Sequence, residues 1–178
     1  MEQQKIYCQL TPNIYLREIQ TSDAQCYYDL LHHKMVKPYI PIGCLPIDII
    51  SATNIIANMN KNRAAGNAIT WALVKDNKLI GTCALHSHNK IFSTIELSYE
   101  LHPNFWGQAL IPRSSNYAKE YARDIMNIRK LYCYTLVDNY RAQKVAEKIG
   151  MEKIGIKKNN CFYNGEWVDR MFFKLQLR

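Results

Sequence analysis

Glu96, Tyr99, Gly107 and Ala109 fall within one stretch, Thr94 to Asp124, whose order of residue types could carry chemistry. Ile95, Leu97, Tyr99 and Leu101 alternate with Thr94, Glu96, Ser98 and Glu100, which predicts a strand with one apolar and one polar face. A strand covered by helices on both sides would be apolar on both. The polar face therefore fits the wall of a wet cleft, and Glu96 on it is a carboxylate able to accept a proton. Glu96 reads equally as a solvated strand residue, and Glu100 reads as structural. His102-Pro103 ends the strand, and Trp106, Gly107, Gln108 and Ala109 form a short loop. A helix follows, with Pro112 suited to its first turn and Ala118, Tyr121, Ala122 and Ile125 on one face. Strand, small-residue loop and helix N-terminus together make a ready phosphate site. Backbone N–H groups can approach an anion there, and the helix dipole adds positive potential.

Other reactive residue types give less. His86-x-His88 lies close to Cys83, but a metal needs a third ligand at good geometry and none is apparent, so a surface pair at a strand end is expected. Ser114-Ser115 lacks the flanking glycines of a nucleophile elbow, and no His–Asp order supports a triad. Cys133, in mid-strand, reads as an inert core thiol. Six cysteines are scattered without a CxxC pair, which fits reduced thiols in a cytoplasmic protein.

The elements that must position these residues follow from patterning. Ile14 to Arg17 reads as a first strand; Thr21-Ser22-Asp23 then offers helix caps before Ala24, Tyr27, Tyr28 and Leu31 at helical spacing. Lys37 to Pro46, with three prolines and a glycine, reads as a loop, and Pro46 as the start of a helix with Ile49, Ala52, Ile56 and Met59 on its apolar face. After a break at Asn62 to Asn67, strands Ala68 to Lys75 and Lys78 to His86 join at Asp76-Asn77, and Gly81 marks a bulge or a close backbone approach. Lys130 to Val137 reads as an apolar strand parallel to the one holding Tyr99. Asn139 to Ile149 is a helix with Ala142, Val145, Ala146 and Ile149 inward, stopped by Gly150. Glu152 to Phe162 and Val168 to Leu177 are closing strands joined around Asn164-Gly165.

A chain of 178 residues without repeat or linker is expected to form one domain over residues 1–178, a mixed α/β sheet. No apolar run approaches the ~18 residues of a membrane span, and the opening MEQQKIYCQL lacks the pattern of a secretory signal. A net charge of +8 favours anionic partners, yet no basic block exceeds Lys157-Lys158, so a generally basic surface is expected and not a dedicated nucleic-acid site.

SYELHPNFWGQAL resembles the acyl-CoA-binding motif of the GNAT N-acetyltransferases, in particular the RimJ/RimL-like branch, where a Gly-Tyr-x-Leu-x-Pro strand end precedes Trp/Tyr-Gly-x-Gly and a helix. A second match, Val137 to Met151, is similar to the family's Asn-x-x-Ser…Glu-Lys-Leu-Gly-Phe segment. The resemblance implies a GNAT fold: a central mixed, mostly antiparallel sheet of about seven strands, splayed at two parallel central strands and flanked by helices. It implies acetyl-CoA as co-substrate and no metal. Tyr99, Leu101, Trp106, Gly107, Gln108, Ala109, Leu110, Ile111 and Arg113 would then bind acetyl-CoA, with its pyrophosphate on Gln108 to Arg113 and Asn139 on the pantetheine arm. Glu96 stands where such sequences often carry a glutamate and would be the base. The usual serine acid is replaced by Ala142 and the alternative tyrosine by Ala146, which leaves Tyr140, with Tyr134 beside it, as the candidate. Asn104, Pro112 and Arg113 also depart from the family pattern; Pro112 removes one N–H, and Arg113 supplies a cation that could offset it. The loop after the first helix would wall the acceptor side, and Glu18, Asp23 and Glu96 could make that side acidic. The implied acceptor is a protein N-terminal α-amine. A small amine (polyamine or aminoglycoside) and a non-catalytic acyl-CoA-binding regulator are the other readings. A homodimer is left open.

Overall fold

The structure is a computed structural model and describes residues 6–163 and 165–178. Residues 1–5, part of the opening read for a secretory signal, and Asn164, in the expected closing turn, lie outside the described residues. Eight strands form: β1 (Ile6–Thr11), β2 (Ile14–Glu18), β3 (Ile69–Lys75), β4 (Lys78–Asn89), β5 (Thr94–Leu101), β6 (Lys130–Leu136), β7 (Glu152–Tyr163) and β8 (Glu166–Gln176). Four α-helices accompany them: α1 (Ala24–His32), α2 (Ile49–Ala64), α3 (Leu110–Asp124) and α4 (Tyr140–Lys148). They build one sheet in the order β1-β2-β3-β4-β5-β6-β8-β7. Every neighbouring pair is antiparallel except β5 with β6, which is parallel.

Local chemistry accounts for most boundaries. Asp76 and Asn77 both take positive φ, 49° and 60°, as a two-residue hairpin turn between β3 and β4 requires. Helix α2 starts at Ile49, not at Pro46, because Asp48 supplies the cap: its Oδ1 accepts from Ser51 N at 2.7 Å, and Ser51 Oγ accepts from Asp48 N at 3.0 Å. The sheet has eight strands where about seven were expected. The extra one, β1, pairs along β2; Ile6, Cys8 and Leu10 alternate with Tyr7, Gln9 and Thr11 over a run of only six residues. Strand β4 continues beyond His86 to Asn89. Ile125 was expected on the apolar face of α3 but lies past the helix end and is 67% exposed; the chain turns and buries Ile128 instead.

The sheet separates two cores. On one side Leu97, Leu101, Leu110, Ile111, Ala118 and Cys133 pack under α3 and α4. On the other, Tyr27, Leu31, Ala52, Ile56, Ala72 and Val74 pack under α1 and α2. Two carboxylates expected near a cleft are committed here. Asp23 is buried against Arg17 through two 2.6 Å hydrogen bonds and accepts from Gln20 N at 2.9 Å, while Glu18 pairs with Arg63.

Strands β5 and β6 pair only at Thr94–Lys130, Ile95–Leu131 and Glu96–Tyr132, and beyond that point they part. Each keeps its outer neighbour, β5 along β4 and β6 along β8. The end of β5 is fixed by a close approach at Gly81, which pairs with Leu101 next to the extra residue that β4 carries between Leu79 and Gly81. A Cβ there would meet Glu100 O at 2.6 Å and Leu101 Cδ1 at 2.9 Å. Gly81→Ala is therefore expected to destabilise the protein by about 1–3 kcal/mol, read as a lower denaturant midpoint with an unchanged slope. An unshifted midpoint would show that the approach does not constrain the strand.

Candidate active site

The parted strands open into a cavity of about 730 Å³ that passes from the α3/α4 side to the α1/α2 side. Glu96 stands at the fork, as the last β5 residue paired with β6. Its carboxylate is 3.8 Å from His86 Nδ1. Burial raises the Glu96 carboxyl above the ordinary carboxylate range, against a downward pull from the Arg170 charge and from the Ser87 and Tyr134 hydroxyls. Burial lowers His86, so its imidazole is neutral near pH 7 and the pair carries no salt bridge there. Burial and the neighbouring Glu96 push Tyr134 up to about 12, which leaves its phenol protonated and able to donate.

Arg170 completes this corner. Its Nε and Nη2 donate to Asn160 Oδ1 at 2.9 and 2.7 Å, and its guanidinium lies 5.3 Å from the Tyr134 ring centroid and 5.6 Å from that of Phe172. Glu100 also lines the cavity and accepts from Thr82 Oγ1. Burial raises its carboxyl, and no salt bridge to it is present among the described residues. The segment after α1 covers this half with Met35, Val36, Tyr39, Ile40 and Cys44. Tyr163 Oη ties it to the β7–β8 hairpin by donating to Lys37 O at 3.0 Å.

The opposite half is built by the loop before α3. Gly107 (φ 79°) and Ala109 (φ 56°) are both left-handed, which turns successive amides to one side of the loop. Ala109 caps α3 with no side-chain oxygen, so the first N–H groups of the helix remain available to an anion; Pro112 has none to offer. Trp106 Nε1 donates to Leu101 O at 2.8 Å, and the Arg141 guanidinium stacks 4.6 Å from the Trp106 ring centroid. Asn139 Oδ1 accepts from Ala142 N at 3.2 Å and caps α4. Tyr99 Oη crosses the gap to donate to Ala142 O at 3.0 Å.

Of the residues singled out by sequence, Glu96, Tyr99, Leu101, Trp106, Gly107, Ala109, Leu110, Ile111 and Asn139 all line this one cavity. Three do not. Tyr140 is 68% exposed and off the cavity, because the inward stripe of α4 runs through Ala142, Val145 and Ala146; Tyr134 on β6 lines the cavity, on the side of Glu96. Arg113 points back to β1, where its Nη1 donates to Leu10 O at 2.6 Å. Gln108 is exposed and turned to Asn104 O at 3.3 Å. The cations on the cavity wall are instead Arg141, Lys144 and Arg170, none of which the sequence reading singled out. His86, read as a surface residue, lines the cavity, and Ser87 at φ 55° interrupts the alternation that would have put His88 beside it. All six cysteines are free, and no helix among the described residues is long and apolar enough to cross a membrane.

Comparison with known proteins places this geometry. RimL, a ribosomal L7/L12 α-N-protein acetyltransferase solved with coenzyme A, superposes with a TM-score of 0.87 at 16% identity, covering 97% of this chain and 98% of that one. A ribosomal-protein-S5-alanine acetyltransferase from Vibrio fischeri gives 0.85 at 19% identity, covering 93% and 94%. YdaF of Bacillus subtilis is 22% identical over 175 residues, 96% of this chain and 95% of its own length. Residues 13–152 match the acetyltransferase (GNAT) domain, and the chain belongs to that family.

Proposed function

We propose that this acetyltransferase uses acetyl-CoA to acetylate a protein N-terminal α-amine, of the ribosomal-protein type, by direct attack with both substrates bound. The observation that carries the reading is the position of Glu96 at the fork of β5 and β6, where a nucleotide-binding half and an acidic half of one cavity meet. The donor half fits the co-substrate: the amides of Gly107 to Ile111 suit its pyrophosphate, and Arg141 and Lys144 its phosphate charge. Bound there, acetyl-CoA supplies an activated thioester. The activities of RimL and of the S5-alanine enzyme support a ribosomal acceptor, and the cytoplasm is then the place of action.

An α-amino group has a pKa of about 8 and must shed a proton to become a nucleophile. Glu96 accepts it. Burial and the raised pKa make Glu96 a stronger base than a solvated carboxylate, while the protonated Tyr134 and the fixed Arg170 orient it and stabilise its charged form. Met35, Val36, Tyr39 and Ile40 exclude water and leave the amine little freedom, so that positioning supplies much of the rate.

One observation favours a small cationic amine as acceptor: Glu100 is a second carboxylate on the same polar strand face, without a cationic partner among the described residues. A panel containing ribosomal N-terminal peptides, a polyamine and an aminoglycoside separates the two. Highest kcat/KM on a peptide is expected, and transfer confined to the small amines would replace this reading with the other.

Glu96→Gln is expected to lower kcat by about 10²- to 10⁴-fold while the acetyl-CoA dissociation constant stays nearly unchanged. In the parent enzyme kcat/KM should fall as pH drops through the Glu96 pKa, because the protonated carboxyl cannot accept a proton; that limb should lie above the ordinary carboxylate range. The Gln variant should lose the limb. Full activity in the variant, or an unchanged limb, would reject Glu96 as the base.

A further inference from the structure

We propose that Thr135 supplies the hydrogen-bond donor that faces the sulfur of coenzyme A, in the role left open by Ala142 and Ala146; the proposal rests on the acetyl-CoA reading above. Four buried side-chain polar atoms have no hydrogen-bond partner among the described residues: Trp71 Nε1, His88 Nδ1, Ser115 Oγ and Thr135 Oγ1. Only Thr135 of these four lines the cavity. It is 7% exposed, and a hydroxyl so placed without a partner is a standing cost that a fold does not normally retain.

Register locates it. The three β5–β6 pairs hold a constant offset, and extending that offset past the fork sets Cys133 opposite Leu97 and Thr135 opposite Tyr99. The paired residues share a side of the sheet, so Tyr99 and Thr135 both look toward α3 and α4, the donor half. Tyr99 marks the level on α4, because its hydroxyl reaches Ala142 O across the gap. With the pyrophosphate at the loop beyond Leu101 and the amine at Glu96, the sulfur lies between them, at this level of the gap.

The other donors there are committed or unsuitable. Tyr99 spends its proton on Ala142 O. The Cys133 thiol is pushed up to about 11 by burial and is a weak donor. Tyr134 points to the opposite side, with Glu96. Thr135 Oγ1 has no partner among the described residues, so the χ1 step between staggered positions that the proposal requires to bring the hydroxyl to the gap breaks no hydrogen bond. In the transfer, the amine nitrogen bonds to the acetyl carbon, the C–S bond breaks with its electron pair leaving on sulfur, and the amine proton goes to Glu96. Thr135 donates a hydrogen bond to the departing sulfur and keeps its own proton; the thiolate is protonated from solvent after release.

The test is binding of coenzyme A and of desulfo-coenzyme A, in which hydrogen replaces the thiol, to the parent protein and to Thr135→Val and Thr135→Ser. Titration calorimetry should show that the preference of the parent for coenzyme A over the desulfo analogue falls about threefold to tenfold in the Val variant, the span of one hydrogen bond. The Ser variant should restore it. The melting temperature of the Val variant should equal or exceed that of the parent, since the hydroxyl removed satisfies nothing in the fold. With the preferred amine, kcat should drop about tenfold in the Val variant at an unchanged KM for acetyl-CoA, as loss of a charge-assisted bond made late in the reaction requires. An equal preference in parent and Val variant would overturn the role of Thr135 alone. A parent protein that binds neither ligand would overturn the acetyl-CoA reading and this proposal with it.

Discussion

Two parallel strands that stop pairing after three residues are the constraint on which the rest of the molecule depends. A buried backbone amide left without a partner is costly, and a sheet normally avoids such edges. Here β5 and β6 each keep their outer ladder and expose an inner edge to the cavity. The inner edge of β5 is suited to an extended ligand that carries amides, which can add to the strand as another strand would.

The surrounding contacts read as means of holding the gap open. On the donor side Tyr99 braces β5 against α4, and Trp106 fastens the loop to the last carbonyl of β5. Arg141 lies over Trp106 and joins α4 to the same loop. The close approach at Gly81 holds Leu101 down on β4. On the acceptor side the bond from Tyr163 to Lys37 O joins the β7–β8 hairpin to the segment after α1. Both walls are therefore cross-linked to elements outside the parted strands.

What could be read from the sequence was the part governed by short-range rules. Alternation along Thr94 to Leu101 gave one polar face, and in the structure that face is the cavity floor. Small residues before a helix gave the anion loop, whose left-handed Gly107 and Ala109 follow from that composition. Direction was the part that could not be read. Arg113 sits next to the anion loop in sequence, yet the first turn of α3 points it at Leu10 O. Tyr140 adjoins Asn139 but faces solvent, whereas Tyr134 and Arg170 meet at Glu96 only because β6 and β8 pair at Leu136–Arg170 and Tyr134–Phe172. Such encounters depend on sheet order, which no local period encodes.

Sheet order also resolves a tension in the charge. A protein of net charge +8 should repel cationic acceptors and attract a polyanionic donor through the same field. The cavity separates the two tasks across the sheet. Arg141 and Lys144, both from α4, lie with the anion loop, while Glu96 and Glu100 lie on the other face of β5 under the segment after α1. Among the described residues lining the acceptor half, Arg170 is the fixed cation, and there it is stacked on aromatic rings and hydrogen-bonded to neutral Asn160. A long-range positive field attracts anions, while the two carboxylates act at short range inside the cavity, where screening by bulk water is weakest. An overall basic chain and an acidic half-cavity are compatible because one strand, with opposite faces, forms the boundary between the two charges.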